Sequence, residues 1–424
     1  MSTIKEVVEN YLCSGCGTCN VICNQSAIKM EFNSIGQLLP MIDSQKCIDC
    51  GLCYDYCPSL DKKRIVHSLL HDDTNLYGDI LGTYIGKSTD EIIYRNSQSG
   101  GVATAILTYL FDNGLIDAAI VCHVEYANEY QSKAIIVTNK HDLLKCQKSS
   151  YSPVDMVSAV KEANSYHSVA FVGTGCHIQG VRTLQSFRNG KKYSNIKYLI
   201  GLICDRTLCK TATDVLYNNH SKGKKKKLIW RDKSVNYKNA KLLIEEESGK
   251  KKEVPSWKRH YLKEYFTAPR CMICFDKFNL GADIVLGDPW GVQDVDWTNG
   301  ESLVLCRTSL GQTVIDDMIQ RSNVVLRQVE PYQALKGQAI DKRLSLIRKN
   351  MLLFKQKGWL LPHYSDVFLS GATEQLTSLE NGQMDNFCRD SMKSKKEIVS
   401  KYIWQLRLLS LKKKIYKFYS IINR

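Results

Sequence analysis

Two cysteine runs near the start of the chain restrict its fold more than any other feature: Cys13-x2-Cys16-x2-Cys19-x3-Cys23 and Cys47-x2-Cys50-x2-Cys53-x3-Cys57-Pro58. Three thiolates on a tight turn containing glycine (Gly15 and Gly17 in one run, Gly51 in the other) can grip three irons of a cubane. The fourth lies one helical turn further on and points across a pseudo-twofold axis. This is the spacing of a two-cluster ferredoxin segment, in which the fourth cysteine of each run serves the other cluster. The expected ligand sets are Cys13, Cys16, Cys19 and Cys57 for one 4Fe–4S cluster, and Cys47, Cys50, Cys53 and Cys23 for the second. Asn24 follows Cys23 where proline is usual, which removes no ligand. Zinc ribbons would require cysteine pairs separated by a longer knuckle. The chain is expected to handle electrons.

A length of 424 residues exceeds one ordinary core, so two or three domains are expected. Seventeen cysteines would mean disulfides in a secreted protein, but MSTIKEVVEN has neither an apolar signal region nor a cleavage site. A reducing cytoplasm is the compartment consistent with exposed clusters and free thiols. No stretch approaches the roughly 18 uninterrupted apolar residues of a membrane span.

The net charge of +15 is unevenly placed, with ten Lys or Arg against the single acid Glu397 in residues 393–424 and five lysines between Lys222 and Lys227. Such an excess suits acidic partners: an acidic electron carrier, phosphorylated substrates or anionic lipid. Nucleic acid is not expected, because no recognised binding motif accompanies the charge.

Residues 1–70 read as the cluster domain, with short strands at 28–32 and 38–42 and a polar linker near His71 to Asn75. From about Leu81 the texture becomes that of strand, glycine loop and helix in series, a mixed α/β domain over 80–345. Helical periodicity covers 101–113. Strands are expected at 117–124, 133–137, 168–172, 196–204, 282–287 and 303–306, with helices at about 177–187, 211–218 and 310–321. The segment 228–254 alternates every two residues and reads as a β-hairpin insertion. Residues 346–424 form a helical C-terminal region. In it Ile398, Tyr402, Leu406, Leu409 and Ile415 recur at helical spacing among lysines, as in a basic amphipathic helix. That helix either packs on its own domain or makes peripheral contact with the inner membrane face through residues 393–424.

Four of the remaining nine cysteines sit where chemistry would place them. Cys176 ends a strand-to-helix glycine loop, Cys204 ends the strand IKYLIGLIC, and Cys271 and Cys274 form a Cys-x2-Cys. They could converge on a further cluster or on zinc, or be small buried residues. Burial accounts for Cys122, Cys146, Cys306 and Cys388, and Cys209 is a spare candidate. The loop Asn96-Ser97-Gln98-Ser99-Gly100-Gly101 precedes a helix, where backbone N–H groups can approach a phosphate or a flavin edge, or simply cap the helix.

The ordered set SQSGGVATAI, KSSYSP, GTGCHIQGVR, GLIC and CMICFDKFNLGADIVLGDPWG, following the ferredoxin segment, resembles the coenzyme F420 hydrogenase/dehydrogenase beta-subunit family over about residues 1–340. Members of that family are iron–sulfur flavoproteins that bind FAD and move electrons between clusters and an organic two-electron acceptor. Bacterial members often belong to surface-polysaccharide gene sets. The resemblance implies that Ser97, Gln98, Ser99, Gly100, Gly101, Lys148, Ser149, Ser150 and Tyr151 lie against FAD, with Gly287, Asp288, Trp290 and Gly291 shaping the wall. It also implies that Cys176, Cys204, Cys271 and Cys274 hold a third 4Fe–4S cluster near the flavin. Two departures stand out: Thr174 and Gly175 precede Cys176 where relatives commonly carry proline, and Asp205-Arg206 replaces the usual His-Gly after Cys204.

The function so implied is a cytoplasmic oxidoreductase that passes electrons from a ferredoxin or another redox protein, through its clusters and FAD, to a small organic substrate. A nucleotide-sugar or lipid-linked sugar suits the charge. The alternative is an electron-transfer subunit of a larger complex with no substrate of its own.

Overall fold

The computed structural model describes residues 2–63, 65, 67–69, 77–125, 130–220, 225–233, 237–238, 240–370 and 395–422. The expected linker at 71–75, Cys388 and part of the 222–227 lysine knot lie outside them.

The cluster segment is built around an antiparallel hairpin, β1 (Ile28–Phe32) with β2 (Leu38–Ile42), registered Met30 to Pro40. Each cysteine run enters a short helix (Thr18–Ile22 and Leu52–Asp55) through a left-handed glycine, Gly17 at φ 91° and Gly51 at φ 75°. Only glycine adopts this conformation without strain, and it turns the run back around its own thiols.

The main domain is one eight-stranded mixed sheet. Its strands are β3 (Gly82–Ser88), β4 (Ala118–Glu125), β5 (Gln131–Val137), β6 (Val169–Gly173), β7 (Ile196–Leu202), β11 (Ile284–Gly287), β12 (Ser302–Cys306) and β13 (Val324–Gln328), ordered β13-β3-β12-β11-β7-β6-β4-β5. The four central strands β11, β7, β6 and β4 are parallel, and antiparallel strands flank them on both sides. Parallel strands are buried on both faces, which explains continuous apolar runs such as 169–173 and 196–202. One face is covered by the helices Val102–Asp112 and Ser309–Gln320, the other by Gly175–Gln185. Most strands fall within a residue or two of expectation. The segment expected as a hairpin is a three-stranded antiparallel sheet of β8 (Lys225–Asp232), β9 (Lys241–Glu246) and β10 (Lys251–Val254), because the lysine-rich start of β8 pairs with Glu245 and Glu246.

The helix Ile340–Gln356 runs through the boundary expected at 345, and with Ser365–Leu369 it returns to the cluster segment. Met351, Phe354, Tyr364 and Phe368 pack with Ile4, Val7 and Leu12 in one core. Leu360 N donates to Asn10 Oδ1 (2.8 Å) and His363 N to Leu60 O (2.8 Å). The last helix, Lys395–Ile422, buries Ile398 and Tyr402 against Tyr265 and Phe266, so its first half packs on its own domain. Leu408 and Trp404 on it are exposed. Among the described residues no helix is long and apolar enough to cross a membrane.

The cluster segment docks directly on the sheet domain. Val157 N donates to Cys16 O (3.0 Å) and Asn20 Nδ2 to Ser158 Oγ (3.1 Å). A side chain on Gly180 would collide with Thr18 Oγ1. Gly180→Val is therefore expected to overpack this seam and lower stability by about 1–3 kcal/mol. A denaturant midpoint unchanged from the parent would contradict the docking.

Candidate redox site

The twelve candidate cysteines gather into three sets. Burial pushes the Cys13 thiol far above its ordinary range, and the neighbouring Cys57 and Cys16 thiols add to the rise. Cys19 is raised in the same way by burial and then by Cys13, Cys16 and Cys57. These four thiols line one small cavity, walled by Ile4, Met30 and Pro58. The second set surrounds Cys53, raised first by burial and then by Cys23, Cys50 and Cys47. The exchange of fourth cysteines expected from the spacing is thus present in the geometry: Cys57 stands with the first run and Cys23 with the second.

The third set is assembled by the sheet. Parallel strands β6, β7 and β11 are neighbours, and their C-terminal ends deliver Cys176, Cys204 and Asp288 to one edge, the usual ligand-binding edge of such sheets. A short 3₁₀ turn, Pro269–Met272, brings Cys271 and Cys274 to the same place. Cys204 is raised by burial and then by Cys271, Cys176 and Cys274. The sets form a row. Cys53 acts on Cys19, joining second to first, and Cys16 acts on Cys176, joining first to third. We call them outer (Cys23, Cys47, Cys50, Cys53), middle (Cys13, Cys16, Cys19, Cys57) and inner (Cys176, Cys204, Cys271, Cys274). Cys209 is buried beside Cys271 and pushed up to about 12 by burial and by that thiol, but it faces a separate cavity with Tyr265 and Ile398.

The surroundings suit cubanes. Among the described residues no three His, Cys, Asp or Glu side chains close on a point that a single ion would fill. A cubane instead spreads its ligands around a cage of irons and sulfides, and Cys13, Cys16, Cys19 and Cys57 are arranged around one shared cavity. Backbone N–H groups donate to Cys13 Sγ (Gly15, 3.4 Å), Cys23 Sγ (Ala27, 3.4 Å) and Cys271 Sγ (Thr207, 3.3 Å), which favours thiolate. His177, next to Cys176, has a pKa pushed down to about 4 by burial. Its Nδ1 accepts from Thr174 N (3.2 Å) and its Nε2 donates to Val154 O (3.1 Å), which fixes the loop where proline is missing. Asp205, at the second departure, accepts from Arg343 Nη1 (2.9 Å), whose Nη2 donates to Cys274 O (2.9 Å).

The residues expected near a flavin also meet. Ser149 N donates to Gln98 Oε1 (3.1 Å), joining the loops 97–101 and 148–151. Gly100 N donates to Ser302 Oγ (3.1 Å). Tyr151 lies against Trp230, with ring centroids 4.9 Å apart, and Ser150 hydrogen-bonds Ser132. Lys148 takes the left-handed region at φ 86°, a strained position for a lysine. The segment expected only as an insertion supplies the missing pieces. Beyond the end of β8, Lys233 Nζ donates to Tyr94 O (2.8 Å), Ser99 O (2.7 Å) and Ser97 Oγ (3.1 Å). Two residues earlier, Arg231 pairs with Asp288, which also accepts from Tyr237 OH (2.5 Å). One short segment, residues 231–233, therefore ties the serine loop to the end of β11. Trp290 and Trp297 lie nearly parallel to Tyr237, with centroids 6.4 and 5.7 Å away. The only hint in the sequence was WRDK standing at the end of a basic strand.

Residues 83–161 match the description "Coenzyme F420 hydrogenase/dehydrogenase, beta subunit N-term", 166–332 the corresponding C terminus, and 12–60 a 4Fe-4S dicluster domain. The chain is 29% identical over 362 residues to the coenzyme F420-dependent sulfite reductase of Methanocaldococcus jannaschii, covering 82% of this chain but only 52% of that protein. It is 28% identical over 291 residues to the beta subunit of F420-dependent formate dehydrogenase 1 of Methanococcus maripaludis, covering 67% and 70% of the two chains. A chain of the F420-reducing [NiFe] hydrogenase complex of Methanosarcina barkeri shares the fold, with a TM-score of 0.53 at 24% identity over 67% of this chain and 95% of that one. None of these relatives' names concerns polysaccharide synthesis, and they are archaeal, so that expectation gains no support. The two beta-subunit matches together span more than half of the chain, which belongs to the coenzyme F420 hydrogenase/dehydrogenase beta-subunit family and carries an N-terminal 4Fe-4S dicluster domain.

Proposed function

We propose that the chain is an iron–sulfur electron-transfer subunit of a larger oxidoreductase assembly, conducting between an external redox partner at the outer thiol set and a two-electron site beyond the inner one. The observation that carries this is the row itself: three neighbouring thiol sets, from exposed Cys50 in the outer set to half-buried Cys204 at the sheet edge. When bound, clusters at these sets supply one-electron steps, and a flavin beside the inner set would turn paired single electrons into a hydride equivalent. The chain's own residues do the rest. Exposed Ile48, between Cys47 and Cys50 of the outer set, offers apolar surface to a partner. Phe275, Ile273 and Tyr364 keep water from the middle and inner sets. Relatives named as F420-dependent hydrogenase, formate dehydrogenase and sulfite reductase proteins support a place inside such a complex.

A flavin-bearing enzyme with its own substrate is the finer reading, favoured by the serine loop and its lysines. Lys148 and Lys87 stand close enough to Lys233 to lower its pKa, an arrangement that an anionic group such as a dinucleotide pyrophosphate would relieve. A small acidic substrate, a nucleotide-sugar among the candidates, would meet the same charge.

Anaerobically purified protein is expected to hold about twelve irons per chain, with matching acid-labile sulfide. Cys19→Ser in the middle set should remove about a third of the iron. It should also slow transfer from a low-potential protein donor to a two-electron dye at least tenfold, whereas undiminished transfer would show that electrons do not travel along the row.

Lys233 gives a pH test. Burial, then Lys148 and Lys87, lower its pKa to about 8. A free lysine titrates near about 10.4, so the closed loop binds fewer protons than the open one, and raising pH between these values favours closure. Amide protection of residues 97–101, corrected for intrinsic exchange, should rise across that range in the parent and stay flat in Lys233→Met. A parent that loses protection there would contradict the assignment.

A further inference from the structure

Arg270 precedes Cys271 on the 3₁₀ turn Pro269–Met272 and is 4% exposed. Its one side-chain hydrogen bond among the described residues runs from Nη2 to Tyr364 OH (2.5 Å), while Nε and Nη1 have no partner. Burial and neighbouring thiols raise Cys57 of the middle set and Cys271 of the inner set, and the Arg270 charge opposes the rise at both. Arg343, the other guanidinium at the inner set, pairs with Asp205; among the described residues no carboxylate lies within ion-pair distance of Arg270, whose charge also acts on the buried Asp276. A buried guanidinium with two orphaned N–H groups is a costly arrangement unless something anionic completes it. A cubane on four thiolates is such an anion, and it becomes more negative on reduction.

We propose that Arg270 is the electrostatic bridge between the middle and inner cluster sites: its Nε–H and Nη1–H serve cluster sulfurs, and its charge favours the reduced state of both sites over that of the outer one. This rests on the reading that the thiol sets hold clusters. Electrons entering at the outer set then run toward sites that hold them better, so Arg270 gives the row a direction. Tyr364, brought in by the C-terminal helical return, is the positioning residue that fixes the guanidinium between the two sets.

The test is an anaerobic redox titration followed by EPR on full-length parent and Arg270→Gln, with iron and sulfide measured on each sample and the outer signal assigned through Cys50→Ser. With about twelve irons retained, the proposal expects the oxidised-to-reduced ratio of the middle and inner clusters to rise about tenfold at a fixed potential, about 59 mV for a one-electron couple, with the outer cluster unmoved. No shift, or the same shift in all three, overturns it. Should Arg270→Gln not retain iron, Arg270→Lys carries the test. It keeps the charge and loses the planar fork, so a smaller downward shift confined to the same two clusters is expected, and unshifted midpoints contradict the proposal. A parent lacking about twelve irons overturns the cluster reading itself, before any variant is compared.

Discussion

Thiols packed this closely repel one another as thiolates, and bound iron would make the packing tolerable. Cys19 and Cys57 are buried, Cys13, Cys176 and Cys204 half-buried, and all five thiols are raised by desolvation and then by neighbours of the same kind. A protein without metal would bear this cost with nothing in return. With clusters, the same crowding becomes a path of short steps, and the surrounding N–H donors and guanidinium groups act as its electrostatic lining.

Each layer of the fold serves that row. The left-handed glycines Gly17 and Gly51 wrap the first two sets, and the parallel centre of the sheet projects Cys176 and Cys204 from adjacent strand ends. The seam between Cys16 and Val157 and the packing of Thr18 on Gly180 press the middle set onto the inner one. The return of residues 340–370 closes the remaining side and supplies Tyr364. At the far edge, Arg231 and Lys233 join the end of β11 to the serine loop.

Much of this was legible because it is local. Cysteine spacing announced a dicluster segment, which the match over residues 12–60 supports. Apolar runs ending in glycine or cysteine marked β6 and β7. What escaped depends on contacts distant in sequence. β3 and β13 flank the sheet through residues such as Gly82–Ser88, whose mixed composition has no clear period; their strand character comes from pairing with β12 and with each other. The clamp between Leu360 and Asn10 spans 350 residues, and periodicity in a helix says which face is apolar but not what covers it. Lys233 looked like one lysine among many until three acceptors appeared around its ammonium group. The inner set lay between these cases: its four cysteines were visible, but spacing alone left cluster, zinc and plain burial open, and only their arrival at one sheet edge joined them.

The central claim is that twelve cysteines hold three cubanes in a row. Native mass spectrometry of anaerobically isolated full-length protein tests it most directly, since the mass added to the polypeptide identifies both the metal and the number of clusters. The account predicts one dominant species carrying three 4Fe–4S cores, falling to two when Cys204 is replaced by serine. A species carrying zinc, or two cores in the parent with no change in Cys204→Ser, would contradict it.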